Sequence, residues 1–288
     1  MYAAPFNYHR PKTLAEATRL LQANKDAKLL AGGHSLLPAM KLRVAGPGML
    51  VDIGGLEELS GIATDGSALR IGATTTHAEI AGSPEVKAGC PVLAEAAAEI
   101  GDIQVRNRGT IGGSLAHADP AADFPTVMVA LGASLSAAGP TGSREIPAEG
   151  FFKDLLTTDL APTEVLTAVR VPTYGQGTGA AYLKHRHPAS SYAVVGVAAL
   201  VTLAGGRCSR VSLAVGGATV NPVRAQAAQA ALAGQAPTDA AVAAAAAKVA
   251  DAIKDPLSDY YASGEFRTHL ATVIAKRALA DAVSRARR

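Results

Sequence analysis

Two short stretches hold the residues best suited to chemistry: Ala31-Gly32-Gly33-His34-Ser35, running on into Leu36, and Thr110-Ile111-Gly112-Gly113-Ser114. Each sets two residues without a Cβ beside a hydroxyl. Glycine reaches positive φ and lets a ligand approach backbone amides closely, so a Gly-Gly turn can aim several N–H groups at an anion. Either stretch alone is equally a tight turn. Two of them closing on one ligand suit a diphosphate, whose charge can be spread over amides from both without a dedicated lysine. Neither has the spacing of GxGxxG followed by a helix or of GxxxxGK[ST], which argues against a Rossmann or P-loop site.

Other reactive residues form weaker patterns. His117 and Asp119 in "AHADP" make an HxD pair like the start of a non-haem iron facial triad, with His185 or His269 as a third ligand. Pro120 follows at once, however, and no β-barrel pattern surrounds the pair. Cys90 and Cys208 are far apart and outside any iron–sulfur spacing, so the chain is expected to hold no cluster and no metal.

Composition sets the scale. The 288 residues, 49% hydrophobic and 18% charged, can build more than one small domain. A net charge of +3, with its densest basic run spread at helical spacing over residues 276–288, gives no nucleic-acid footprint. Tryptophan is absent and aromatics are 4%, too few for a base-stacking platform. No apolar run approaches the ~18 residues of a membrane span, and "MYAAPFNYHRPK" lacks a signal-peptide core, so a soluble cytoplasmic chain is expected.

The elements that must position the two stretches follow from periodicity. Thr13 and Glu16 form a capping box ahead of Leu14, Ala17, Thr18 and Leu21, spaced for one helix face. "KLLAG" and "MLVDIGG" read as strands, giving a βαβ-like unit over 1–56 with the first stretch at a strand's carboxyl end. In 57–176, "ALRIGATTT", "ASLSAAG" and "EVLTAVRVP" read as strands, "THAEIA" as a capped helix and "CPVLAEAAAEIG" as a proline-initiated one. Residues 175–179 read as a glycine linker. Beyond it, 177–288 is expected to hold two strands joined at Gly205-Gly206 and then alanine-rich helices.

Taken in order, "FNYHRPKTLAEA", "LLAGGHSLLPAMK", "DIGG", "IGATTTHAEI", "RNRGTIGGSLAHADPAADFP" and "YLKHRHPASSYAVVGVA" resemble the FAD-binding medium subunits of the molybdenum hydroxylases, the xanthine dehydrogenase family. Within that family the resemblance is closest to the branch that oxidises carbon monoxide aerobically. It implies an α+β, three-domain FAD-binding fold like that of vanillyl-alcohol oxidase relatives, and not a Rossmann fold. It also implies that Ala31 through Leu36 and Thr110 through Ser114 wrap the FAD pyrophosphate and that Asp123 binds sugar or ribityl hydroxyls. Leu166 and Lys184 would line the flavin, and Tyr192 would cover one face. Ser191 stands where some relatives carry an acidic residue. The implied function is an oxidoreductase subunit that passes electrons from a large molybdopterin subunit, through a small subunit with two [2Fe–2S] clusters, to an external acceptor such as quinone. The resemblance further implies a dimer of heterotrimers, cytoplasmic and peripheral at the inner membrane. The partner's substrate would be carbon monoxide, or alternatively a purine, aldehyde or N-heterocycle. "AGGHS" also resembles the Gly-Gly-His of oxidases that bond FAD through histidine, but those carry a capping domain that 288 residues can hardly contain. A cofactor-free scaffold is the remaining alternative.

Overall fold

The computed structural model describes residues 2–288. Its first unit alternates β1 (Asn7–His9), α1 (Leu14–Ala23), β2 (Ala27–Leu30), α2 (Leu36–Lys41) and β3 (Met49–Asp52), with parallel strands in the order β1-β3-β2. Parallel neighbours require crossovers, which α1 and α2 supply. At the start of α1 the Glu16 amide donates to Thr13 Oγ1, but the Glu16 carboxylate takes the Lys12 amide, so the capping box closes one residue early. Ala17 and Leu21 then pack on Val51 and Ile53. Because β2 ends at Leu30, the stretch from Ala31 to Ser35 leaves the carboxyl end of a parallel strand, where α/β sheets bind ligands.

The second unit is a five-stranded antiparallel sheet with helices on it. It comprises β4 (Ile62–Asp65), β5 (Ala68–Gly72), α3 (His77–Gly82), α4 (Pro84–Gly89), α5 (Pro91–Glu99), α6 (Ile103–Arg106), α7 (Ile111–His117), α8 (Asp123–Leu131), β6 (Ser134–Gly139), β7 (Gly142–Pro147), the short pair β8 (Phe152–Asp154) and β9 (Thr157–Thr158), and β10 (Val165–Pro172). The sheet order is β4-β5-β10-β6-β7. Successive residues of the central strand face opposite ways, so Val165 joins the first unit's core and Leu166 the second's.

The third unit pairs β11 (Thr178–Arg186), β12 (Ala193–Ala204), β13 (Arg207–Gly216) and β14 (Val223–Arg224) in that order, followed by α9 (Gln226–Leu232), α10 (Asp239–Ala247) and α11 (Gly264–Ala286). Both faces of this sheet are covered. Val195, Val197, Ala199 and Val201 pack with the three C-terminal helices, while Ala180, Tyr182, Ala198 and Leu200 pack with the middle unit. Two-sided burial explains why the β12 sequence is apolar almost throughout instead of alternating. The glycine-rich segment 175–179 is not wholly a linker: β11 begins at Thr178, and a Cβ on Gly179 would overlap the Ala282 carbonyl of α11. Gly205 and Gly206, at φ 56° and 75°, make the β12–β13 hairpin turn. No helix among the described residues is long and apolar enough to cross a membrane.

Candidate functional site

The two glycine stretches meet. A Cβ on Gly32 would overlap the Arg108 carbonyl oxygen and lie 2.9 Å from Gly109 Cα, so the first stretch presses directly on the backbone leading into the second. Gly33 has φ 78°. Among the described residues no group accepts from the amides of Gly32, Gly33, His34, Ser35 or Leu36, which leaves five consecutive donors for a ligand. The His34 side chain is exposed, with Nδ1 3.3 Å from the Gly32 carbonyl.

The second stretch is organised differently. Thr110 is the N-cap of α7, so Gly112, Gly113 and Ser114 form a helical first turn instead of an open loop. Gly113 N–H donates to Thr110 Oγ1 at 3.1 Å and Ser114 N–H to the Thr110 carbonyl at 3.0 Å. The Ile111 amide goes to Thr75 O and the Gly112 amide to Ala73 O, at 3.0 and 2.8 Å, extending an antiparallel bridge between Thr76 and Thr110. These four amides therefore brace the stretch internally. Exposed Gly113 and half-buried Ser114, with its hydroxyl, form its outer surface.

The start of α8 carries a buried polar cluster. Asp123 opens α8 and accepts from Tyr182 Oη at 2.5 Å and from Lys184 Nζ at 2.9 Å, both acidic and basic side chains being almost wholly buried. Lys184 also donates to the Glu99 carbonyl at 3.0 Å and the Ser191 carbonyl at 2.7 Å, so all three ammonium protons have partners. Burial raises the Asp123 pKa above its ordinary value, with the Lys184 charge the chief opposing influence. Leu166 is buried in the second core.

Tyr192 follows Ser191, whose φ of 62° is unusual for a residue with a side chain, and remains 42% exposed. Partial burial raises the phenol's pKa, the Asp119 charge adds to that, and the polar Ser35 side chain opposes it. The tyrosine of the third unit thus lies near enough to the first unit's glycine loop to feel its serine.

Sequence reasoning missed two contributors. Tyr182 sits two residues before Lys184 in β11, and period-two alternation was the available signal that both share a face. His77 is buried under the second stretch, its amide donating to Gly109 O at 2.9 Å and its ring edge-on to Phe124 at 5.2 Å. Burial holds its pKa down to about 4, and Nδ1 has no partner, as a neutral imidazole allows. Among the described residues no three His, Cys, Asp or Glu side chains gather as a metal site requires, so His117 and Asp119 gain no third ligand from His185 or His269.

Free amides at the end of a parallel strand, packed against a second glycine turn, are the features of an α+β protein that binds an anionic cofactor. The family of the FAD binding domain in molybdopterin dehydrogenase matches residues 4–174, and that of the CO dehydrogenase flavoprotein C-terminal domain matches residues 180–282. The carbon monoxide dehydrogenase medium chain of Hydrogenophaga pseudoflava is 44% identical over 97% of this chain and 98% of its own length. The glyceraldehyde dehydrogenase medium chain of Sulfolobus acidocaldarius is 37% identical over 98% and 99%. The solved carbon monoxide dehydrogenase from Hydrogenophaga pseudoflava, in a form lacking the Mo-pyranopterin moiety, superposes with a TM-score of 0.96 at 45% identity, covering 99% of each chain. This chain belongs to the family of FAD-binding medium subunits of the molybdenum hydroxylases. It is the flavoprotein component of an oxidoreductase, and the free amides, the Gly32 close approach and the half-exposed Tyr192 ring fit an FAD.

Proposed function

We propose that this chain takes electrons from the iron–sulfur clusters of a small partner subunit and hands them to an external acceptor such as quinone, within an aerobic carbon monoxide dehydrogenase. The observation that carries the reading is the run of five unpartnered amides from Gly32 to Leu36, packed against Arg108 and Gly109. Bound there, FAD supplies a carrier able to exchange electrons singly with a cluster and in pairs with an acceptor.

The chain's own residues do the holding. Ala31 to Leu36 supply amides to the diphosphate, and Thr110 to Ser114 close the other side with the Ser114 hydroxyl. Asp123 offers cofactor hydroxyls the lone pairs that Tyr182 and Lys184 leave free, while Leu166 and Lys184 back the flavin and Tyr192 shields it. His34 serves through its amide, so FAD is held without a covalent bond. The three units correspond to domains 1–56, 57–176 and 177–288 of a vanillyl-alcohol-oxidase-like arrangement. Similarity along the whole length to medium chains of dehydrogenases supports large and small partner subunits; the proposed assembly is a dimer of heterotrimers, cytoplasmic and peripheral at the inner membrane.

Carbon monoxide carries no hydride for a flavin to accept, and two buried, separated cysteines cannot ligate a cluster, so substrate oxidation belongs to the partners. Acid precipitation of the FAD-loaded chain is expected to leave a yellow supernatant; colour retained in the pellet would refute non-covalent binding. Under carbon monoxide the isolated chain should stay oxidised yet bleach with dithionite. Adding the molybdenum and iron–sulfur subunits should make it bleach under the gas. Bleaching of the isolated subunit would overturn the division of labour. If the assembled complex responds only to an aldehyde, the relationship to the glyceraldehyde enzyme identifies the substrate class instead. Tyr192→Ala is expected to accelerate reoxidation of the reduced flavin by air, and Tyr192→Phe to leave it nearly unchanged, because the flat ring supplies the shield.

A further inference from the structure

We infer that the loop formed by residues 253–263 is a buttress that sets the position of Tyr192, with Tyr261 and Arg267 as its positioning residues. The inference rests on the reading of Tyr192 as the flavin cover. Tyr192 ends the turn 187–192 between β11 and β12. Most of that turn's bonds are its own: His187 N–H donates to the Tyr192 carbonyl at 2.8 Å, Ser191 N–H to the His187 carbonyl at 2.9 Å, and Ala189 N–H to His187 Nδ1 at 3.2 Å. It also holds Ser191 in the left-handed region, a conformation that persists only when its surroundings enforce it.

Two outside contacts supply that enforcement. Lys184 grips the Ser191 carbonyl from below, and the Tyr261 ring lies 4.4 Å from the His187 ring, tilted by 58°. Tyr261 is itself fixed. Its amide and that of Ala262 donate to Asp259 Oδ1 at 2.9 and 2.8 Å, while Asp259 Oδ2 accepts from Arg267 Nη2 at 2.6 Å. Buried Arg267 turns its other terminal nitrogen, Nη1, to the carbonyls of Val194 and Gly217 at 2.7 and 2.9 Å. One guanidinium therefore ties the loop to the strand that starts directly after Tyr192, and one aromatic contact ties it to the turn before. Neighbouring Tyr260 projects almost fully into solvent, so whatever touches this loop from outside acts on the same framework.

Arg267 variants risk the fold, because removing the guanidinium orphans two buried carbonyls. Tyr261 does not carry that risk, being 38% exposed and outside the cores. The test measures air reoxidation of dithionite-reduced flavin in the FAD-loaded full chain for wild type, Tyr192→Ala, Tyr261→Ala, Tyr261→Phe and the double alanine variant, with flavin content and thermal midpoint alongside. Tyr261→Ala should react severalfold faster than wild type at unchanged flavin content, Tyr261→Phe should match wild type, and the double variant should be no faster than Tyr192→Ala. A wild-type rate in Tyr261→Ala beside an accelerated Tyr192→Ala overturns the buttress and spares the cover. Multiplying effects in the double variant likewise overturn it. A wild-type rate in Tyr192→Ala overturns the cover reading and this inference with it.

Discussion

Gly32→Ala is expected to strip FAD from a chain that still folds. The added methyl would occupy the space of the Arg108 carbonyl and crowd Gly109 Cα, and these are backbone atoms with no rotamer to yield. Relief requires the Ala31–Ser35 loop to move away from the second stretch, which misdirects the free amides. Overpacking of this kind costs roughly 1–3 kcal/mol, equivalent to about five- to 150-fold in affinity if the strain appears only when the cradle closes on its ligand. Flavin stoichiometry after gel filtration, beside circular dichroism, measures it. Gly46→Ala is the control, since a Cβ there meets nothing within 4 Å, and it should retain full flavin. Stoichiometric FAD in Gly32→Ala would show that the junction of the two stretches plays no part in binding.

The features legible in the sequence are those with local causes. The start of α1, the capping box of α3 and the hairpin at Gly205-Gly206 each depend on residues within a turn of one another, and each forms where its residue types place it. Tertiary contacts set the rest. The second glycine pair becomes a helical turn because Ala73 and Thr75, distant in sequence, take its amides. Gly179 looks like linker by composition, yet the packing of α11 over β11 is what demands a glycine there. The residues around the site were visible as types; the pairing of Asp123 with Lys184 was not. Nothing local to "PAADFP" or "YLKHR" reveals that one helix start and one strand meet in the interior.

That pairing sets up the second large effect: Lys184→Met should cost about 3–5 kcal/mol at neutral pH, because it leaves a carboxylate buried without its cation. The loss should depend on pH with a definite sign. The folded pKa of Asp123 already lies above the ordinary 3.8 through burial, and removing the ammonium that lowers it raises it further. A carboxyl whose folded pKa exceeds its unfolded one binds its proton more tightly in the native state, so variant and wild type share the loss of stability between 3.8 and the wild-type folded pKa. The variant's deficit opens above that point, grows as pH rises toward its own higher folded pKa and levels off beyond it. Denaturant midpoints of wild type and variant, compared from neutral pH downward, should therefore converge on acidification. The double variant Lys184→Met with Asp123→Asn should recover part of the neutral-pH loss, since it buries an amide in place of an unpaired charge. Lys184 also grips the Ser191 carbonyl, so the single variant should expose the flavin to air as Tyr192→Ala does. A stability deficit that is constant across the pH range would show that Asp123 is not the group left uncompensated, and would remove the ion pair from this account of the site.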